Sequence, residues 1–204
     1  MKTRFILIRH AQSAAKERGI VQGRGLAVPL TREGEAQSRK LAAGLKIENL
    51  DRIFSSTALR ARKTAEPIRT FYPHLPYEEI SELNERSKGA AEGINQEEFA
   101  RRYPQVIEAW AKGFDPRPAG GESLADVYNR AVPIIENHKT QYGGKTLLYV
   151  THGNVIRLLL VHMLGLSPAL VQDRIFLDYC GVSLAEYDHE KSRWYILYVN
   201  KTIY

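Results

Sequence analysis

Cysteine is almost missing from this 204-residue chain: Cys180 stands alone. One thiol closes no disulfide within the chain, and no Cys/His spacing of the structural-metal type occurs. Cys180 therefore reads as a small buried hydrophobe. Also missing are an apolar run long enough to span a bilayer and the basic-then-apolar opening of a secretory signal. A cytoplasmic protein with no membrane partner is expected. There is no internal repeat, no low-complexity segment and no obvious linker, so the length predicts one α/β domain over 1–204 with a single buried core.

Charge is unevenly spread. Residues 1–70 carry 15 Lys+Arg against 6 Asp+Glu, while residues 71–204 carry 14 against 17. A basic amino-terminal third attracts anionic substrates. It does not point to nucleic acid, because Arg39-Lys40 and Arg62-Lys63 fall in helical patterns without interleaved stacking aromatics.

The informative residues gather at strand ends. Phe5-Ile6-Leu7-Ile8 is apolar on consecutive positions, as a strand buried on both faces of a parallel sheet must be. Arg9 and His10 follow at its carboxyl end, where open α/β sheets bind ligands. A second buried strand over 145–151 leads into His152-Gly153-Asn154 and a helix over 155–164. His152 thus falls at a helix N-terminus, where free N–H groups favour anions. Taken alone, an Arg-His pair after a strand is an ordinary polar loop; two strand-end histidines, each with an arginine nearby, are harder to dismiss. A third junction lies between a strand over 52–55 and a helix over 58–72, and it holds Ser56 and Arg60.

The remaining pattern predicts a three-layer α/β sandwich, a mostly parallel central sheet flanked by helices. Thr31 caps a helix to about 45. Ser123 opens an amphipathic helix to about 138. Stretches 182–187 and 194–199 read as late antiparallel strands. Residues 85–118 form a long excursion with helical pieces at 96–102 and 105–111, expected to cover the active end as a lid. Right-handed crossovers bring the three junctions to one end of the sheet.

Six segments then occur in order: Arg9-His10; Gln22-Gly23 with Pro29-Leu30-Thr31 and Gly34; Ser55-Ser56-Thr57-Ala58-Leu59-Arg60-Ala61 with Thr64-Ala65; Leu83-Asn84-Glu85 with Gly89, Glu92 and Gly93; Gly120-Gly121-Glu122-Ser123; and His152-Gly153-Asn154. Through them, from residue 4 to about 200, the chain resembles the histidine phosphatase superfamily. The resemblance is to the branch that holds cofactor-dependent phosphoglycerate mutases and their phosphatase relatives. It implies a phosphoglycerate mutase-like fold and a small phosphorylated substrate.

The resemblance also implies roles. His10 is the nucleophile that forms a phosphohistidine, so its other ring nitrogen should donate to a backbone carbonyl in the Ala11-Gln12 loop. Arg9, Arg60 and His152 hold the phosphoryl oxygens, and Glu85 gives a proton to the leaving group. With two arginines and a histidine supplying positive charge, no metal and no cofactor are implied. Lys16, Gln22, Gly23, Arg86, Arg101, Arg102, Gly153 and Asn154 are the implied substrate-binding set. Three positions depart from the family pattern: Ala11 replaces a glycine, Lys16 an asparagine, and Ala27 lies near a usual aspartate.

Phosphatase and mutase both remain open. Arg86 and Arg101-Arg102 resemble positions that mutases use for a second anion. Lys88 in place of an aromatic, and the short Phe114-to-Gly121 segment, favour a phosphatase. A phosphate-binding module without catalysis is disfavoured, because nucleophile, acid and arginines are all present. The oligomeric state, monomer or homodimer, stays open at the level of sequence.

Overall fold

The computed structural model describes residues 1–25, 27–45, 47, 49–112, 114–117, 120–171 and 175–203, with the side chains of residues 16, 170 and 171 outside the description. In chain order the elements are β1 (Lys2–Arg9), α1 (Ala14–Glu17), α2 (Arg32–Gly44), β2 (Arg52–Ser56), α3 (Leu59–Phe71) and β3 (Tyr77–Ile80). Then come α4 (Gln96–Arg102), α5 (Pro104–Ala111), α6 (Leu124–Gln141), β4 (Thr146–Thr151), α7 (Gly153–Met163), β5 (Val182–Asp188) and β6 (Arg193–Lys201). Short 3-10 turns lie at Ser81–Leu83, Gly89–Ala91 and Pro168–Val171.

The strands form one sheet in the order β3-β2-β4-β1-β5-β6. The first four are mutually parallel, and β5 and β6 run antiparallel, as expected for the late strands. Side-chain alternation along the central strands divides the apolar residues between two faces. Phe5, Leu7, Leu147 and Tyr149 enter a cluster with Val127, Ile135, Val155 and Leu159 of α6 and α7. Ile6, Ile8, Leu148 and Val150 enter another with Leu41, Ala61 and Ile68 of α2 and α3. Fully burying a side chain of this size contributes about 1.5–3 kcal/mol, so these two interfaces dominate the stability. The result is the expected three-layer sandwich.

The helix starts follow local chemistry. The Thr31 hydroxyl accepts the Gly34 N–H at 2.9 Å and starts α2. Gly34 itself is needed there, since a Cβ would run into the Gln12 backbone carbonyl. Ser123 and Asp126 form a reciprocal capping box at the head of α6, which runs three residues beyond the expected end. Two elements differ from the sequence reading. Strand β3 escaped because Glu78 and Glu79 are exposed at the sheet edge, so it shows no apolar run. Helix α1 is a single turn, too short for any periodicity to appear.

Parallel register sets the site. Arg9 pairs with Thr151 and Ser55 with Val150, so the carboxyl ends of β1, β2 and β4 lie side by side. Within the excursion, α4 and α5 make a small cluster of their own, in which Phe99 and Val106 pack with Ala91 and Val21. Backbone bonds tie this unit to the loop after α1: Val21 N–H to Ile94 O, Gly93 N–H to Val21 O, and Gln96 N–H to Gly19 O.

One buried titratable group sits far from that edge. His138 of α6 stacks on Phe54 at 4.5 Å and its Nδ1 is 2.9 Å from the Tyr149 hydroxyl. Burial, aided by the Arg52 charge, lowers its pKa to about 4. An unfolded histidine binds its proton near 6.5, so between pH 4 and 6.5 the unfolded chain holds one proton more than the native one. Stability therefore falls on acidification across that window, by roughly 3 kcal/mol from this residue alone. Denaturant titrations at several pH values should show this slope, and His138→Gln should flatten it by about one proton. An unchanged slope in the variant would assign the acid sensitivity elsewhere.

Candidate active site

His10 follows β1 directly, and backbone bonds fix its loop. Its N–H reaches Thr151 O at 2.9 Å, and the next N–H, of Ala11, reaches the Thr64 hydroxyl of α3 at 2.9 Å. Thr64 in turn donates to Arg60 O, so the His10 loop and Arg60 share one anchor. Ala11 is fully buried and is not among the residues with positive φ, so alanine fits where the resemblance implies glycine. The Nδ1 of His10 lies 2.7 Å from Ala11 O, as the sequence reading required. That bond assigns the proton to Nδ1 and leaves the lone pair on Nε2. Burial, with the charges of Arg60 and Arg9, pushes the imidazole pKa well below 6.5 and keeps the ring neutral.

The other predicted groups converge on it. The His152 ring centroid lies 5.1 Å from that of His10. Its Nε2 is 2.7 Å from the Ser56 hydroxyl, at the end of β2, while its buried Nδ1 has no partner. Burial, followed by Arg60, holds His152 neutral as well. Arg60, fully buried, gives Nη1 to Gly25 O at 2.8 Å and Nη2 to Gly23 O at 2.9 Å, leaving its Nε without a partner. Burial lowers its pKa, and the carboxylates of Glu85 and Glu92 work in the opposite direction. Arg9 donates through Nη1 to Leu177 O, stacks over Tyr179 at 4.2 Å, and also keeps a buried, unpartnered Nε. Three cationic or imidazole groups with buried, unused nitrogens beside one neutral histidine suit an anion with several oxygens.

A cleft of about 440 Å³ opens here, walled by Arg9, His10, Gln22, Glu85, Gln96 and Tyr179, with Ala15, Gly19 and Ile20 beside them. Gln22 accepts from Ser13 at 2.9 Å and has a buried, unpartnered Nε2. Glu85 accepts its neighbour's N–H, from Arg86, at 2.8 Å. Its segment is clamped from α6: Arg130 holds the carbonyls of Glu82 and Glu85 and pairs with both oxygens of Glu122, which also accepts Ser87 N–H. Burial opposes ionisation of Glu122, yet Arg130 and that N–H hold its pKa below the usual carboxylate range. Gly153 and Asn154 begin α7 directly after His152, with Gly153 packed near the Arg9 and Arg157 guanidinium groups. Neither is among the cleft walls.

Three expected ligands are placed otherwise. Arg86 is buried and spends its guanidinium on Glu122 O and Pro116 O at 2.6 Å each and on Asp115 at 3.3 Å. It is a brace under the excursion and not a wall of the cleft. Arg102 is exposed and pairs with Glu98 one turn earlier, and Arg101 is exposed beside it. The Lys16 side chain lies outside the described residues. Among the described residues, no group of three or more His, Cys, Asp or Glu side chains could hold a metal ion, and no helix is long and apolar enough to cross a membrane.

Tyr179 and Gln96 were not anticipated. Each reaches the cleft across a long sequence separation, and a lone tyrosine carries no local signal. Ser56 was seen only as part of a junction; its bond to His152 depends on two strand ends meeting.

The chain is similar to known proteins in sequence and in fold. A family model described as histidine phosphatase superfamily (branch 1) matches residues 5–202. Over 183 residues the chain is 35% identical to the 2,3-bisphosphoglycerate-dependent phosphoglycerate mutase of Rhizobium etli, covering 85% of each chain. It is 32% identical over 191 residues to the uncharacterized phosphatase PhoE of Bacillus subtilis, covering 94% of this chain and 92% of that one. In fold it matches the mycobacterial glucosyl-3-phosphoglycerate phosphatase with a TM-score of 0.86 at 23% identity, over 99% of this chain and 100% of the other.

Proposed function

From its membership of the histidine phosphatase superfamily, to which the chain belongs, we propose that this protein is a phosphomonoester hydrolase that works through a phosphohistidine on small phosphorylated metabolites. His10 Nε2 attacks phosphorus as the ester P–O bond breaks, with Nδ1–H held on Ala11 O. Arg9, Arg60 and His152 bind the non-bridging oxygens. For His152 to donate through Nδ1, Ser56 must donate to Nε2, which the 2.7 Å contact permits. Glu85 passes a proton to the departing alkoxide and, as carboxylate, takes one from the water that then attacks phosphohistidine. That second attack breaks the P–N bond and restores neutral His10. The positive charge for the transition state comes from preorganised arginines, which need no reorganisation during the reaction.

The observation that favours hydrolysis over mutase chemistry is the placement of Arg86. A mutase must hold a second anionic group while the phosphoryl group is returned to the substrate. Arg86 is spent on two carbonyls and Asp115, and Arg102 on Glu98. Arg9 is the only cationic side chain among the described walls of the cleft. Inorganic phosphate release from simple phosphomonoesters should therefore exceed phosphoryl exchange between 3-phosphoglycerate and 2,3-bisphosphoglycerate by at least about tenfold in kcat/KM. Measured side by side with labelled substrates, the opposite ratio would make the enzyme a mutase.

A further inference from the structure

The carboxylate of Glu92 joins two segments that border the cleft. Its Oε1 accepts Arg24 N–H at 2.9 Å, Lys88 N–H at 2.8 Å and the Ser87 hydroxyl at 3.1 Å; its Oε2 accepts Gly25 N–H at 2.8 Å. Four donors converge on it, and two come from Gly23-Arg24-Gly25, the segment whose carbonyls grip Arg60. The other two, Ser87 and Lys88, follow Glu85 by two and three residues. Gly23 packs so closely that a Cβ would overlap the Glu92 carboxylate.

A tripeptide with glycine at both ends has unusual backbone freedom, so it does not hold two carbonyls in place by itself. Arg60 depends on them: two of its five N–H donors are used there, and the remaining donors can meet a phosphoryl group only if the fork is aimed. We propose that Glu92 is a positioning residue for phosphoryl transfer, pinning the 23–25 loop so that Gly23 and Gly25 hold the Arg60 fork in register with His10. This rests on the reading of His10 and Arg60 as the phosphoryl site. Glu92 is not a wall of the cleft, and its action passes through the loop and Arg60. Its negative charge also favours the charged form of that arginine.

A double-mutant cycle separates this role from simple structural support. Orthovanadate inhibition and kcat/KM for p-nitrophenyl phosphate are measured for wild type, Arg60→Ala, Glu92→Ala and the double variant, with thermal melting alongside. Glu92→Ala should weaken vanadate binding and lower kcat/KM by at least about tenfold, the size of a lost charge-assisted hydrogen bond. In the Arg60→Ala background the same change should cost less than about twofold, since its target is gone. Glu92→Gln keeps one acceptor oxygen and should fall between wild type and alanine; it serves in the same cycle if the alanine variant fails to fold. Independent, multiplicative losses would overturn the positioning role, as would a Glu92→Ala enzyme that binds vanadate normally while Arg60→Ala does not. If Arg60→Ala itself binds vanadate like wild type, the phosphoryl site has been misplaced and the proposal falls with it.

Discussion

His10→Ala is expected to give a folded protein that retains no acid-labile phosphoryl label and has lost turnover by on the order of 10⁶, the scale seen when a covalent nucleophile is removed. The fold should survive because the loop is held through its backbone, by His10 N–H on Thr151 O and Ala11 N–H on Thr64. The ring itself donates only to the adjacent Ala11 carbonyl. Rapid-quench experiments with labelled phosphomonoester check both parts: wild type should show a burst of label stable to base and lost in acid, and the variant none. Hydrolysis by the variant at a near wild-type rate would end the covalent mechanism. The depressed pKa of His10 adds a condition on pH. His10 stays unprotonated through the ordinary histidine range, so a fall in label formation as pH drops through 6.5 must come from another group.

Much of this site was legible in the sequence because strand ends are. Consecutive apolar residues in β1 and β4 announce strands buried on both faces, and the polar residues just after them must lie at the ligand-binding edge. Arg9, His10 and His152 follow from that rule before any family likeness is invoked. Glu85 does not, since its assignment needed the motif around it. What stayed hidden was pairing between distant residues. Nothing local distinguishes Arg86, which braces the excursion through Asp115, from an arginine free to bind substrate. The Arg130–Glu122 clamp on the Glu85 segment joins α6 to a loop 45 residues earlier. Tyr179 meets Arg9 only because β5 lies beside β1. The two histidine pKa shifts were equally illegible, for they come from burial and from arginines brought close by the fold.

Glu85→Gln should separate substrates by leaving group. An alkoxide whose conjugate acid has a pKa near that of water needs a proton as the P–O bond breaks, whereas nitrophenolate departs without one. General acid assistance is worth about 10²–10⁴ in rate, so phosphohistidine formation from an alkyl phosphate should slow by that factor while p-nitrophenyl phosphate loses far less. The amide is the right probe because it is nearly isosteric and can still accept Arg86 N–H, leaving the local backbone as it is. The burst phase is the quantity to compare, since in the proposed mechanism the same carboxylate also serves the later hydrolysis. Other carboxylates of the segment are poorly placed to substitute. Glu82 is exposed, and the Ser81 hydroxyl holds it below the usual carboxylate range. Glu92 has both oxygens occupied by four donors. Equal slowing of both substrates in the burst would remove Glu85 from the acid role and leave proton delivery to a group on the substrate or to water in the cleft.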